Sequence, residues 1–256
     1  MKEDKFNLND PTLSVDLSEA TQAVKENRFE EALSLFEIIL KDHPDNIDAL
    51  YLASVSSRYL KKFDDSKKYI EQLLFNAPDM GRAYQELGHI NRDMGNEEKA
   101  AINYRQACEL NPALLSSWNL LNQYFIKNNN QPAADHARKQ IEKLQSLPPA
   151  LLYIDQILNE GRLGLAERQC RAFLKKNPTH TYAMSLLSEI ANRLGYFDDA
   201  EFLLEKAVEF KPHDGDLRMQ YAAILRKKQK FAKTMEQVNI LCDQYPDNPV
   251  YQAQKA

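Results

Sequence analysis

The sequence predicts an all-α chain built as a row of stacked helical hairpins, and three observations carry that expectation. The 256 residues are rich in Ala, Leu, Glu, Lys and Gln, which lose little on entering a helix, and include only 7 glycines. Runs in which Val, Ile or Thr alternate with polar residues are missing, so strands have no support. Proline returns at a fixed interval. Pro44, Pro78 and Pro112 are 34 residues apart, as are Pro178, Pro212 and Pro246, and the gap between the triplets is 66.

Counting that proline as position 32 divides the chain into repeats 13–46, 47–80, 81–114, 115–146, 147–180, 181–214 and 215–248, the fourth two residues short. In the first, Ala20 at position 8 and Ala32 at position 20 let two helices cross closely, Asn27 at position 15 ends the first helix, and Phe36 fills the space between them. The second sets Ser54 against Ser66. The third has Gly88 and Ala100 at the crossing, Gly95 as a left-handed cap, and Tyr84 and Tyr104 as filling. The fourth keeps Asn129, Ala134 and Trp118 but departs at Asn122, and the fifth keeps Gly161 and Ala166 but departs at Ile154. The sixth has Ser188, Gly195 and Ala200, and the seventh Ala222 and Thr234. Position 20 is small in every repeat, because a larger side chain would push the helices apart.

A 34-residue helix–turn–helix period is the tetratricopeptide signature. Residues 13–248 thus resemble tetratricopeptide-repeat proteins, which implies a right-handed superhelical solenoid of about seven repeats. Each hairpin leaves an apolar face that only its neighbours cover. The flanks are a polar segment, 1–12, whose Phe6 and Leu8 could fold back, and a stretch, 249–256, that starts a further helix and stops. In the shortened repeat, the Asn run, Pro132 and the Pro148–Pro149 pair predict a break between helices and a change of pitch.

The resemblance also implies a binding surface. In this family the inner groove is lined by positions 2, 5, 9, 12 and 13 of each first helix. Those positions here include Tyr51, Arg58, Gln85, His89, Arg92, Asn119, Gln123, Lys127, Tyr182, Glu189 and Arg193. Lys25, Arg226 and Lys227 extend a stripe of cations along one end, which implies a protein or peptide partner of acidic character. On this view Arg58, Arg92 and Lys127 act as a set, and changing all three to Glu leaves the fold intact. The heat-shock-chaperone clamp of the family needs Lys at position 5 and Asn at position 9; Leu17 and Thr21, Tyr51 and Val55, and Gln85 and His89 stand there instead.

Other chemistry finds little footing. The paired acids Glu30–Glu31, Asp64–Asp65, Glu97–Glu98 and Asp198–Asp199 all open second helices, where negative charge meets the positive end of the dipole. His43, His89, His136, His180 and His213 show no metal-ligand spacing, and no glycine-rich phosphate loop occurs. No catalytic residue, metal or cofactor is expected. Cys108, Cys170 and Cys242 are scattered, fit a core role, and with the lack of a signal-peptide pattern point to the cytoplasm. A net charge of −4 argues against nucleic acid, and no apolar run is long enough for a membrane. The main expectation is a non-catalytic interaction scaffold, with self-association through an uncapped last repeat as a further outcome. The alternative is a targeting region: residues 147–256 resemble the repeat region of bacterial repeat-containing sulfotransferases, which implies a catalytic domain beyond this sequence.

Overall fold

The computed structural model describes residues 11–255, with side chains described from 17 to 254. The expected folding-back of Phe6 and Leu8 lies outside the described residues. Every regular element among the described residues is helical, and the helices pack in consecutive pairs. The chain divides into two compact units, residues 1–146 and 147–256, at the Pro148–Pro149 joint.

The first unit holds four hairpins: α1 (Pro11–Lys25) with α2 (Phe29–Asp42), α3 (Ile47–Tyr59) with α4 (Phe63–Asn76), α5 (Gly81–Asp93) with α6 (Glu97–Leu110), and α7 (Leu115–Lys127) with α8 (Gln131–Gln145). The second holds three: α9 (Pro149–Asn159) with α10 (Leu163–Lys176), α11 (Thr181–Arg193) with α12 (Phe197–Phe210), and α13 (Gly215–Lys227) with α14 (Phe231–Gln244). A one-turn helix, α15 (Pro249–Gln252), and a 3-10 turn over Ala253–Lys255 follow.

Two local rules set these boundaries. Each of the six periodic prolines stands two residues past the end of its second helix. The residue before it adopts an extended φ, as at His43 (−132°) and Ala77 (−139°), because proline disfavours helical geometry in its predecessor. Each first helix ends in a left-handed residue at position 15: Asn27, Lys61, Gly95, Asn129, Gly161, Gly195 and Gln229, with φ between 55° and 83°. The next amide then bonds back across the turn, as from Lys62 to the Ser57 carbonyl at 2.9 Å. This caps the helix by satisfying carbonyls that would otherwise be left open.

The crossing inside each hairpin is closed by the small residues. Ala20 and Ala32 are fully buried. Ser54 and Ser66 exchange hydrogen bonds, Ser54 Oγ donating to the Ser66 carbonyl at 2.9 Å and Ser66 Oγ to the Ser54 carbonyl at 2.8 Å. Ser188 Oγ donates to the Ala200 carbonyl at 3.1 Å. At Gly88 a Cβ would stand 2.5 Å from Tyr104 Cε1, so the tyrosine ring occupies the volume glycine leaves. All three cysteines are buried, and burial pushes the Cys108 and Cys170 thiols up to about 12.

Within each unit the first helices also touch one another: α1 meets α3 and α3 meets α5, and likewise α9 meets α11 and α11 meets α13. They form the tighter layer, and their outer faces carry the candidate surface.

Candidate functional site

In the first unit the predicted residues fall into two groups. Of these, Arg58, His89 and Arg92 converge with Glu86, Asp93 and Tyr104 at the seam between α3 and the α5–α6 hairpin. Arg58 Nε donates to Glu86 Oε1 at 2.6 Å, and its Nη1 to Asp93 Oδ2 at 3.1 Å. The Arg58 side chain is only 10% exposed and that of Glu86 2%. Arg58 also lies 4.6 Å from the Tyr59 ring centroid, and Tyr59 stacks on Phe29 at 4.4 Å. Burial opposes the charge on Arg58, but Glu86 and Asp93 outweigh it and hold the guanidinium above its usual range. Burial pushes the Glu86 carboxyl up, with Arg58 pulling it partly back. Asp93 is less buried, and Arg92 and Arg58 together hold it below the ordinary carboxylate range despite the desolvation it suffers.

His89 sits inside this cluster. Its Nδ1 is 2.9 Å from the Tyr104 hydroxyl, and the two rings meet edge to face. Burial lowers its pKa to about 4, helped by the Arg58 and Arg92 charges, so the imidazole is neutral at physiological pH. Burial raises Tyr104 to about 12.

The second group lies further along. Gln85 donates to Ser117 Oγ at 2.9 Å, joining α5 to α7. Asn119 donates to its own helix at Leu115, Gln123 is exposed, and the Tyr51 ring lies under the Arg82 guanidinium at 5.0 Å. Lys127 is exposed and pairs with Glu97. Arg92 is exposed and pairs with Asp93 at 3.0 Å.

In the second unit, Tyr182 donates to Asp155 Oδ2 at 2.5 Å, and burial followed by that carboxylate pushes the phenol well above its usual range. Arg193 pairs with Glu189 at 2.8 Å and donates to the Leu158 carbonyl at 2.9 Å. Lys227 donates to Asn192 Oδ1 at 2.8 Å, and Arg226 to Gln254 Oε1 at 2.8 Å.

Of the cations expected to form a stripe, Arg58, Arg92, Lys127, Arg193, Arg226 and Lys227 therefore face anionic or amide partners. The equivalence of Arg58, Arg92 and Lys127 needs correction. Arg58 is a buried clamp between hairpins, and Arg58→Glu would set a third carboxylate beside Glu86 and Asp93, so the triple Glu variant should destabilise the fold rather than spare it. Sequence reasoning missed Glu86 and Asp93. They lie seven residues apart on the side of α5 that faces α3, and a search for opposite charges 28 and 35 residues from Arg58 would have found them.

Two clefts lie between neighbouring second helices, floored by the first helix that runs between them. One of about 560 Å³ in the first unit is lined by Arg105, Cys108, Trp118, Phe125 and His136, among others. Another of about 200 Å³ in the second unit is lined by Arg171, Leu187, Tyr196, Asp199 and Phe202, among others. Among the described residues no cluster of His, Cys, Asp and Glu gathers to hold a metal, and no helix is long and apolar enough to cross a membrane.

Among solved structures, the chain is similar to Naa15/Naa10 bound to HypK-THB, at 16% identity over 94% of this chain and 38% of that one, with a TM-score of 0.47. It is similar to MamA at 14% identity over 75% and 94% of the two chains, TM-score 0.43. It is also similar to the C-terminal part of a TPR repeat-containing protein from Cytophaga hutchinsonii, at 16% identity over 93% and 98%, TM-score 0.42. The chain thus spans 38% of the length of the first of these. Tetratricopeptide-repeat profiles match residues 17–57, 81–114 and 182–214. Residues 81–114 and 182–214 coincide with the third and sixth hairpins and 17–57 runs from α1 into α3, so these segments of the chain carry tetratricopeptide repeats.

Proposed function

We propose that this chain is a non-catalytic scaffold that holds an extended or helical segment of a protein partner against its first-helix layer. One observation carries the reading. In each unit first helices lie side by side, and they set polar groups (Gln85, Asn119 and Gln123 in the first unit, Glu189 in the second) beside half-buried or exposed apolar surface from Tyr51, Ile126 and Tyr182. Because the neighbouring Arg58, Arg92, Lys127 and Arg193 are already paired, recognition rests on hydrogen bonds and flat contact area more than on net attraction. Exposed charges of this kind contribute about 0–1 kcal/mol each.

The test is a photo-crosslinking amino acid placed at Gln123 or Glu189, with Ile102 on α6 (58% exposed) as the second-helix control. The same partner should crosslink from 123 or 189 and not from 102 in extracts of the source cell. A partner captured from Ile102 and from neither first-helix position would overturn the reading.

A further inference from the structure

Position 16, the residue just before each second helix, is polar in six hairpins: Arg28, Lys62, Asn96, Asn130, Arg162 and Lys230. The sixth hairpin has Tyr196 there, so the fold does not require a ring at this place. Asp199 and Phe202 follow at intervals of three and continue the row along α12, because residues three apart are neighbours on a helix. Tyr196 is 60% exposed and Phe202 59%. Neither ring has a cation or another ring over it among the described residues, and the Asp199 carboxylate has no hydrogen-bond or ion-pair partner there. The dipole of α12 accounts for an acid in this turn, as in other hairpins, but not for the two rings.

Tyr196, Asp199 and Phe202 line one side of the cleft of about 200 Å³ in the second unit. Its floor is apolar: Leu187, Ile190 and Ala191 of α11 are buried, and Leu203 of α12 adjoins them. The facing side is Glu167 and Arg171 of α10, which pair with each other at 2.8 Å, so their charges cancel. Asp199 thus carries the uncompensated charge among the lining residues. Small-molecule sites span about 300–1,000 Å³, so a cleft of this size suits a single side chain better.

We propose that the groove between α10 and α12 receives a lysine side chain of a protein partner. Its methylene stem lies along Leu187, Ile190 and Ala191, and its ammonium meets Asp199 between the Tyr196 and Phe202 rings. The chemistry of the lining selects this occupant. An apolar floor takes the stem, a carboxylate takes the charge, and a ring face attracts a cation through its quadrupole. An aliphatic side chain without charge leaves Asp199 unpaired, and a carboxylate meets like charge. Lysine brings a compact ammonium, whereas the planar guanidinium of arginine needs a wider place beside Arg171. This site lies on the second-helix side and is independent of the first-helix layer as a partner surface.

Nuclear magnetic resonance titration of the full chain tests it, with circular dichroism confirming that each variant is folded. The probe is lysine capped as an amide at both backbone ends. It should shift the amide signals of Leu187, Asp199 and Phe202 and saturate with a Kd of about 1–10 mM, as one side chain allows. The same probe acetylated on Nζ keeps the stem, loses the charge and should bind about tenfold more weakly. Asp199→Asn and Phe202→Ala should each weaken capped lysine by about threefold or more. Arg171→Gln releases Glu167 as a second carboxylate and should tighten it. Absence of a saturable shift at these residues overturns the proposal, as does binding that Asp199→Asn leaves unchanged. Equal binding of the acetylated probe would make the cleft a purely apolar one. Tighter binding of capped arginine or of spermidine would make lysine the wrong occupant.

Discussion

At Lys61 and Gln229 the backbone takes φ of 62° and 58°, where the other repeats place Gly or Asn. A side chain in this region crowds the following carbonyl, and only glycine escapes the cost. Lys61→Gly and Gln229→Gly should each stabilise the protein by about 0.5–1 kcal/mol, less the extra freedom glycine gives the unfolded chain. Chemical denaturation of the two variants checks this, and a loss of stability at both would refute the strain. Gly88 tests packing in the opposite sense. Gly88→Ala drives a Cβ into the Tyr104 ring and should cost about 1–3 kcal/mol, much of it recovered when Tyr104→Leu removes the ring. Additive losses in the double variant would mean the two side chains are not in conflict.

Between elements, the Arg58–Glu86 pair sets the strongest expectation. Removing one buried partner strands the other, so Arg58→Ala should cost about 3–5 kcal/mol, while Arg58→Leu combined with Glu86→Leu should cost clearly less. His89 adds a pH signature. Its pKa falls from 6.5 to about 4 on folding, so between those values the unfolded chain binds more protons. Stability from this group is therefore present above about pH 6.5 and is lost as pH falls toward 4, by up to about 3 kcal/mol. Glu86, whose carboxyl is raised, titrates with the opposite sign. The check is thus the difference between wild type and His89→Gln, whose stability gap should shift in the variant's favour as the solution is acidified. A gap that does not change with pH would place the His89 proton elsewhere.

For the molecule as a whole, the second unit has its own cores. One joins Leu151, Ile154, Leu158, Cys170, Leu187 and Ile190, and the next joins Met184, Leu204, Tyr221 and Leu225. Repeat stability is close to a sum of local terms, so residues 147–256 expressed alone should fold with native helicity and cooperative thermal unfolding. A fragment without cooperative unfolding would show that these cores depend on residues before 147.

The sequence by itself determined the all-helical class, the pairing of consecutive helices and the close-packed crossings. Proline exits, left-handed caps and small crossing residues act through the chain's own backbone and nearest neighbours, so their period is written directly in the residues. It also placed Tyr51, Gln85, Asn119 and Gln123 on first helices. It was silent on Lys61 and Gln229 as left-handed caps, because the turn imposes that geometry on whatever residue stands there. Only the tertiary structure decided which cations are buried and which are exposed. Arg58 and Arg92 hold the same position, 12, on consecutive repeats, yet one is a buried clamp and the other is exposed. The difference comes from Glu86 and Asp93, carried on another helix and brought within reach only when hairpins stack, because a side chain's charge is set by what packs against it.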